Sequence, residues 1–357
     1  MALGFAIVAV MKGEARFLLE WVEYHLLVGV QHFFLSSNEC GADAVTVRRL
    51  LQPYLQRGQV TLDTRFECVQ HAVQSAAYAR YHQLNGSSAT WTAHIDLDEY
   101  IVVADPAQQV LQVFLALGAR GAGVVAMPWR TFGSSGHRLR PNGSILASYT
   151  RRAKMGTSFH ASSYKSVVRR GKCLKPSVHS CGGFAPGVSP QLFTPESRSL
   201  SPASHTIPAA MRCIQPRGAR ICSTNCALRP PPRSDTGAAT RPPCVLWLNH
   251  YRTKSDEDWE AKKRRGQAAS CPSCTGKHLS GEPPRYNDMR DDFIVGSVLV
   301  RLAHLPPAER DRVAHNLGVA HLKLARAAPS PSPHPRRQPH TRTGTRAHRI
   351  PHATLDL

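Results

Sequence analysis

The first hundred residues alternate between short apolar runs and segments whose apolar residues recur at helical spacing. An uninterrupted apolar run is typical of a strand buried on both faces, and the helical spacing is typical of an amphipathic helix. We predict strands over 4–11, 31–37, 59–64 and 91–103, and helices over 14–29, 42–58 and 68–85. Such alternation predicts an α/β fold with a doubly wound, mostly parallel sheet flanked by helices.

The periodic pattern continues past residue 105 and is then lost for a long stretch. We predict a helix over 106–118, strands over 122–133 and 244–251, and a charged helix from residue 255 onward. A Pro-, Ser- and Arg-rich stretch without periodicity predicts an irregular insertion, and a basic low-complexity end predicts a disordered tail. These features divide the chain into the parts 1–181, 182–243, 244–324 and 325–357.

The segment WTAHIDLDEYIVV (91–103) places three acids, Asp96, Asp98 and Glu99, within the fourth predicted strand. Strand alternation would put Asp96 and Asp98 on one face, where two carboxylates repel each other unless a cation or a proton separates them. Hard divalent cations prefer oxygen ligands, and doubly wound sheets bind ligands at the carboxyl ends of their strands. The pair therefore predicts a metal site; the alternative is a solvated strand end.

The net charge of +21 over 357 residues changes the list of expected partners. Such a charge favours anions, including nucleotide phosphates, acidic glycans and nucleic acids. No nucleic-acid-binding motif is present, so we expect no specific nucleic acid and keep a basic nucleic-acid-binding protein as the alternative function. The chain has no apolar run of membrane-spanning length, and its apolar start lacks the cationic region and cleavage site of a signal peptide, so we expect neither segment here.

Ten cysteines leave the redox compartment open. CSTNC (222–226) and CPSC (271–274) have the composition of a four-cysteine zinc site. The gap between the two motifs is long and irregular, so disulfides or free thiols are favoured over zinc.

Several stretches together resemble glycosyltransferase family 92, formerly a domain of unknown function. They are KGEARFLLEWVEYHLLVGVQHFFL, WTAHIDLDEYIV, WRTFGSSGH, YKSVV and LNHYRTKSDEDWEAKKRRG, in the family's order. The resemblance covers roughly residues 4–181 and 244–266. It implies a GT-A fold, a UDP-sugar donor, a divalent cation such as Mn²⁺, inverting transfer of galactose to a glycan acceptor, and a Golgi or other secretory-pathway membrane location. An inactive homologue remains an alternative, because 182–243 replaces the family's acceptor-side strands.

The resemblance assigns a metal site to three residues. Asp96 and Asp98 match the family's Asp-x-Asp, with Asp98 as a metal ligand and Asp96 as a contact to the metal or to the donor ribose. His250 of LNHY matches a downstream histidine that would complete the metal site. The alternative for His250 is a half-buried histidine bonded to a backbone carbonyl.

The resemblance also implies contacts to the nucleotide. Glu14 and Arg16 follow the first strand, and Asn38 and Asp43, after the second, would face the base. Asn38 and Asp43 are equally typical of a turn and a helix N-cap. Lys165 of YKSVV would hold a phosphate.

An inverting transferase needs a base that deprotonates the acceptor hydroxyl. Between Asp105 and Asp256 the only acids are Glu196 and Asp235, and both lie in the irregular segment. We therefore predict that the base is one of a cluster at the start of the charged helix, with those two acids or a histidine as alternatives. The cluster is Asp256, Glu257 and Asp258.

Overall fold

The computed structural model describes residues 3–69, 73–119, 121–154, 164–174, 192–193, 245–266 and 282–322. The strands are β1 (Leu3–Met11), β2 (His32–Ser37), β3 (Val60–Asp63), β4 (Ala89–His94), β5 (Glu99–Val103), β6 (Val124–Thr131), β7 (Arg151–Arg152), β8 (Tyr164–Arg169), β9 (Leu192–Phe193), β10 (Leu246–His250) and β11 (Met289–Arg290). The helices are α1 (Ala15–Leu27), α2 (Gly41–Gln56), α3 (Val73–Asn85), α4 (Val110–Ala119), α5 (Ile145–Ser148), α6 (Asp256–Arg265), α7 (Phe293–Ala303) and α8 (Pro307–Asn316). None of these helices is long and apolar enough to span a membrane.

A nine-stranded sheet organises the described residues. Its strand order is β3-β2-β1-β4-β8-β6-β10-β5, and β9 pairs with the beginning of β6. β1 to β4 pair in parallel, whereas β8 runs antiparallel to both β4 and β6, and β5 runs antiparallel to β10. A mostly parallel sheet with helices on it confirms the predicted α/β class.

The central strand β1 shows why the sheet needs helices on both faces. Its alternate residues Phe5, Ile7, Ala9 and Met11 belong to a core that includes side chains of α1, α2 and α4. The intervening residues, among them Val8, pack with side chains of α3 on the other face. Both faces of β1 are therefore buried, which explains its uninterrupted apolar sequence.

The fourth predicted strand is wrong in one respect. Residues 91–103 do not form one strand: β4 ends at His94, a turn follows, and β5 begins at Glu99 in a different part of the sheet. The turn is closed by a hydrogen bond from the Glu99 N–H to the Asp96 carbonyl, 3.0 Å long. Asp96 and Asp98 therefore lie in a turn, and strand alternation does not determine their directions.

The other boundaries agree with the pattern within a few residues, apart from the third helix. That helix begins at Val73 rather than at residue 68. The predicted basic tail, the four cysteines of CSTNC and CPSC, and the insertion 182–243 apart from β9 lie outside the described residues.

Two buried polar clusters join distant parts of the fold. Glu20 of α1 accepts hydrogen bonds from the Ser144 hydroxyl at 2.6 Å and from the N–H groups of residues 145 and 146, and so caps α5. Asp291 binds the guanidinium groups of Arg130 at 3.3 Å and Arg152 at 2.5 Å. Both clusters are largely buried, so loss of one partner would leave the others without compensation.

Candidate active site

The candidate site lies at the edge of the sheet where β1 and β4 end. The parallel pairing of these strands brings the loop after β1 and the turn after β4 to the same edge. β10 ends beside this turn, because His250 is paired with Glu99 in the antiparallel ladder of β10 and β5. A 2.8 Å hydrogen bond from the Tyr251 N–H to the Asp98 carbonyl continues that pairing.

Asp98 is surrounded by basic side chains. Its Oδ2 lies 2.8 Å from Lys262 Nζ and 4.0 Å from Lys254 Nζ, and its Oδ1 lies 3.5 Å from His250 Nε2. Burial alone would raise the pKa of Asp98, but the positive charge of Lys262, together with the hydrogen bond from His250 and the charge of Lys254, holds that pKa well below its usual value. Asp98 is therefore a buried carboxylate that carries its charge.

Asp96 points to a different set of partners. Its Oδ1 accepts a 2.6 Å hydrogen bond from Gln74, and its Oδ2 lies 3.0 Å from Lys165 Nζ. Lys165 is fully buried and also lies 3.6 Å from Glu99, which accepts a hydrogen bond from the Asp96 N–H. About a third of the Asp96 side chain remains exposed, so a ligand can reach it. Lys165 contacts this carboxylate pair, and its predicted phosphate contact stays a prediction.

A divalent cation needs several converging ligands, and the described part of this edge offers few. No group of three or more His, Cys, Asp or Glu side chains converges within the described residues, and Asp96 is held by Gln74 and Lys165. Asp98 Oδ1 and His250 Nε2 are 3.5 Å apart, a spacing compatible with two ligands that each lie about 2.2 Å from one ion. Burial lowers the pKa of His250, which favours the neutral imidazole that metals bind. Asp98 and His250 could therefore supply two ligands to a cation, whereas the second oxygen of Asp98 is bound by Lys262.

The loop after β1 is held by Glu39 and Arg265. Glu39 accepts hydrogen bonds from the N–H groups of Gly13 at 2.7 Å and Glu14 at 3.3 Å. Arg265 contacts the Gly13 carbonyl at 2.6 Å and the Glu14 carboxylate at 3.0 Å. Arg16 donates to the Pro141 carbonyl at 2.9 Å, and so connects α1 to the loop after β6. Glu14 thus lies at the predicted edge, already paired with Arg265.

The amino-terminal half of the chain resembles known proteins. The model of glycosyltransferase family 92 matches residues 8–205, more than half of the 357-residue chain. The chain belongs to glycosyltransferase family 92. A family 92 protein of Oryza sativa subsp. japonica is 29% identical over 171 residues, which are 47% of this chain and 27% of that protein. A family 92 protein of Ricinus communis is 25% identical over 171 residues, or 46% and 28%. The match thus spans little more than a quarter of either relative.

Asn38 and Asp43 are the two residues of this family 92 chain that were predicted to face the nucleotide base. The Asn38 amide donates to the carbonyls of Phe66 at 2.7 Å and Val69 at 2.8 Å, and thereby ties the ends of β2 and β3 together. Next to it, Cys40 and Cys68 form a disulfide with a Cα–Cα distance of 5.0 Å. Asp43 is exposed in the first turn of α2. A nucleotide contact for Asn38 or Asp43 stays a prediction.

The acidic cluster predicted to supply a base forms the first turn of α6. Ser255 and Asp258 form a capping box, and Asp258 also contacts Arg140 and accepts a 3.0 Å hydrogen bond from Tyr149. Burial would raise the pKa of Asp258, but the hydrogen bonds from Arg140 and Ser255 outweigh it and lower that pKa. Glu257 accepts a 2.9 Å hydrogen bond from the Arg140 N–H. Asp256 has no side-chain partner among the described residues, and its role as the base stays a prediction.

Four residues of this edge were missed by the pattern analysis: Gln74, Lys254, Lys262 and Arg265. Lys254, Lys262 and Arg265 lie within the LNHYRTKSDEDWEAKKRRG stretch that carried part of the family resemblance. A basic run on a helix is usually solvated, so its residues gave no signal of burial. The spacing of Lys262 and Arg265 at i and i+3, which places both on one face of α6, is the clue that could have found them.

Proposed function

We propose that this family 92 chain is an active glycosyltransferase that moves a sugar from a UDP-sugar to a glycan acceptor. Galactose is the proposed sugar, inversion the proposed stereochemical course, and glycans that include acidic ones the proposed acceptors. The observation that carries the proposal is a buried, charged Asp98 with His250, Lys254 and Lys262 around it at the sheet edge where this class of fold binds ligands. The family match supports the reaction class.

Leaving-group stabilisation is the chemical task that suits this cluster. In glycosyl transfer the bond between the anomeric carbon and the phosphate oxygen breaks, and its electron pair stays on the diphosphate. Positive groups fixed beside that diphosphate lower the barrier because they require no reorganisation during the reaction. Lys254 and Lys262 supply such charge, while Asp96, partly exposed, is proposed to contact the donor ribose.

Asp98 and His250 are proposed to hold the divalent cation, Mn²⁺ by family resemblance. When bound there, the cation would offset the negative charge that develops on the leaving diphosphate. Asp98 keeps its charge at neutral pH, and His250 is neutral, so both side chains are in the protonation states that a metal ligand needs.

Asp256 is proposed as the base that takes the acceptor proton. Its side chain is partly exposed and has no partner among the described residues, whereas Asp258 is held by Arg140 and Ser255. A carboxylate that no described side chain holds can turn toward an acceptor hydroxyl and take its proton. Asp256→Asn should lower kcat by about 100-fold or more. Unchanged kcat in this variant would assign the base to another residue.

The direct test is a donor screen on the full chain. UDP-galactose and other UDP-sugars are incubated with glycan acceptors in Mn²⁺ or in EDTA, and both released UDP and the glycan product are measured. His250→Ala should raise the Mn²⁺ concentration for half-maximal activity by about tenfold or more. His304→Ala, at the exposed end of α7, is the matched control. Metal dependence identical to wild type in His250→Ala would refute its role as a ligand.

The same screen separates the alternatives. UDP binding without turnover of any sugar would identify an inactive homologue. Salt-sensitive retention on nucleic acid without UDP binding would identify the basic nucleic-acid-binding function.

A secretory-pathway location, with the Golgi as the proposed compartment, is supported by the Cys40–Cys68 disulfide, because disulfides persist in oxidising compartments.

A further inference from the structure

The tripeptide Asn-Gly-Ser occurs at two places in the chain, residues 85–87 and residues 142–144. Asn-x-Ser, with any residue except proline in the middle, is the acceptor sequence for N-linked oligosaccharides in secreted proteins. An attached oligosaccharide is bulky and hydrated, so the asparagine that carries it has to lie at the surface. The surroundings of each asparagine therefore decide which tripeptide can be modified.

Asn142 lies in the loop between β6 and α5 and meets this requirement. Asn142 and Gly143 are both exposed, and no described atom beyond the chain neighbours lies within 4 Å of the point where a Gly143 side chain would begin. The nearby Leu139 is 77% exposed. Among the described residues, none forms a hydrogen bond with the Asn142 side chain. The loop thus leaves space for an oligosaccharide, and no described contact uses the Asn142 amide.

The loop that carries Asn142 is held on both sides. Arg16 donates to the Pro141 carbonyl at 2.9 Å, and the Arg140 N–H donates to the Glu257 carboxylate at 2.9 Å. These contacts fix the backbone on either side of the exposed asparagine and leave its own side chain out. Asn142 is therefore kept at the surface by the fold.

Ser144, the third residue of the tripeptide, determines when the modification has to occur. It is 2% exposed in the folded chain, where its hydroxyl donates to Glu20 at 2.6 Å and accepts a 3.3 Å hydrogen bond from the Ala147 N–H. A transferring enzyme recognises the serine together with the asparagine, so it has to act before Glu20 caps α5. Glycosylation at this site thus precedes folding, as expected for a chain that is modified while it enters a secretory compartment.

Asn85, in the other tripeptide, has different surroundings. It is the last residue of α3 and is only partly exposed, and its carbonyl accepts a 2.9 Å hydrogen bond from the Ser88 N–H. It also lines a cleft together with Tyr81 and Leu84. An acceptor asparagine belongs to a surface loop, and a helical, partly buried asparagine does not have that geometry.

We infer that Asn142 is a modification site that carries an N-linked oligosaccharide. Its side-chain nitrogen forms a bond to the anomeric carbon of an oligosaccharide that is carried on a polyprenyl diphosphate. The bond between that carbon and the phosphate oxygen breaks, its electron pair stays on the diphosphate, and the nitrogen releases one proton to solvent. The inference rests on the proposed secretory-pathway location, because the lipid-linked donor and its transferring enzyme work there.

The test follows the full chain, directed by an added leader into the endoplasmic reticulum of a eukaryotic cell. Wild type should migrate more slowly in a denaturing gel than the same chain treated with peptide N-glycosidase, and Asn142→Gln should lose that shift. Asn85→Gln is the matched control, because it removes the same tripeptide from the end of α3 and should keep the shift. Mass spectrometry of peptides with the glycan still attached should show the oligosaccharide on Asn142.

A melting temperature recorded for each variant excludes misfolding as the cause of a lost shift. Absence of the shift in wild type, or an unchanged shift in a folded Asn142→Gln, would overturn the inference. A glycan on Asn142 in a chain that transfers no sugar would leave this site intact and refute only the proposed function. Sugar transfer by a wild-type chain that carries no glycan in this cell would refute this inference alone.

Discussion

Asp98→Asn should destabilise the fold as well as stop transfer. The substitution keeps the shape of the side chain and removes the charge that Lys262 contacts at 2.8 Å and Lys254 at 4.0 Å. All three side chains are largely buried, with exposed fractions of 5% for Asp98, 5% for Lys254 and 17% for Lys262, so water compensates poorly. Loss of one partner of a buried pair costs about 3–5 kcal/mol.

For Asp98→Asn we expect a loss of about 3 kcal/mol in the free energy of unfolding, at the lower end of this range, because the amide oxygen still accepts one hydrogen bond. For a domain of this size that value corresponds to a fall in Tm of about 6–12 °C. The assay is urea denaturation at pH 7, with Asp43→Asn as the control. Asp43 is exposed on α2, and its variant should stay within about 1 kcal/mol of wild type.

A double-mutant cycle isolates the pair. If the loss comes from an unpaired buried ammonium, Lys262→Met should be less harmful in the Asp98→Asn background than in wild type, with a coupling of about 2 kcal/mol. Additive effects, or an Asp98→Asn protein as stable as wild type, would show that the charges around Asp98 do not stabilise the fold.

Three further predictions concern stability. Burial raises the pKa of Glu20 from 4.5 to about 7, so its contribution to folding is complete below pH 4.5 and is lost as the pH rises through 7. In urea denaturation, wild type should therefore lose about 3 kcal/mol of stability relative to Glu20→Gln between pH 4.5 and 8. Parallel pH profiles of stability for the two proteins would contradict this. Cys40→Ser should cost about 3–4 kcal/mol in the oxidised protein, since the disulfide to Cys68 spans 28 residues, and reductant should destabilise wild type by more than it destabilises the variant, because Cys173 is also disulfide-bonded. Asp291→Asn should cost about 3 kcal/mol by leaving Arg152 unpaired, and a change in Tm under 2 °C would refute that reasoning.

The pattern of polar and apolar residues was sufficient to predict the strands and helices in the first half of the sheet. β1 is apolar throughout because both of its faces are buried, and that condition is visible in the sequence itself. The turn inside 91–103 was not visible, because Ile95 and Leu97 keep the segment apolar on either side of Asp96 and both are buried outside any strand. The spacing of apolar residues indicates which positions are buried, and in this segment the buried positions continue through the turn after β4 has ended.

Sequence alone determined the fold class and the family, and it predicted a site at the acids after β4, because each of these depends on residue types at short spacing. Only the tertiary structure decided what those acids contact. Lys262 meets Asp98 across 164 positions of the chain, through the register of β10 against β5 and the direction of α6. Lys165 meets Asp96 through the antiparallel insertion of β8 between β4 and β6. Such contacts are set by how strands are ordered in a sheet, and no local pattern of polar and apolar residues encodes that order.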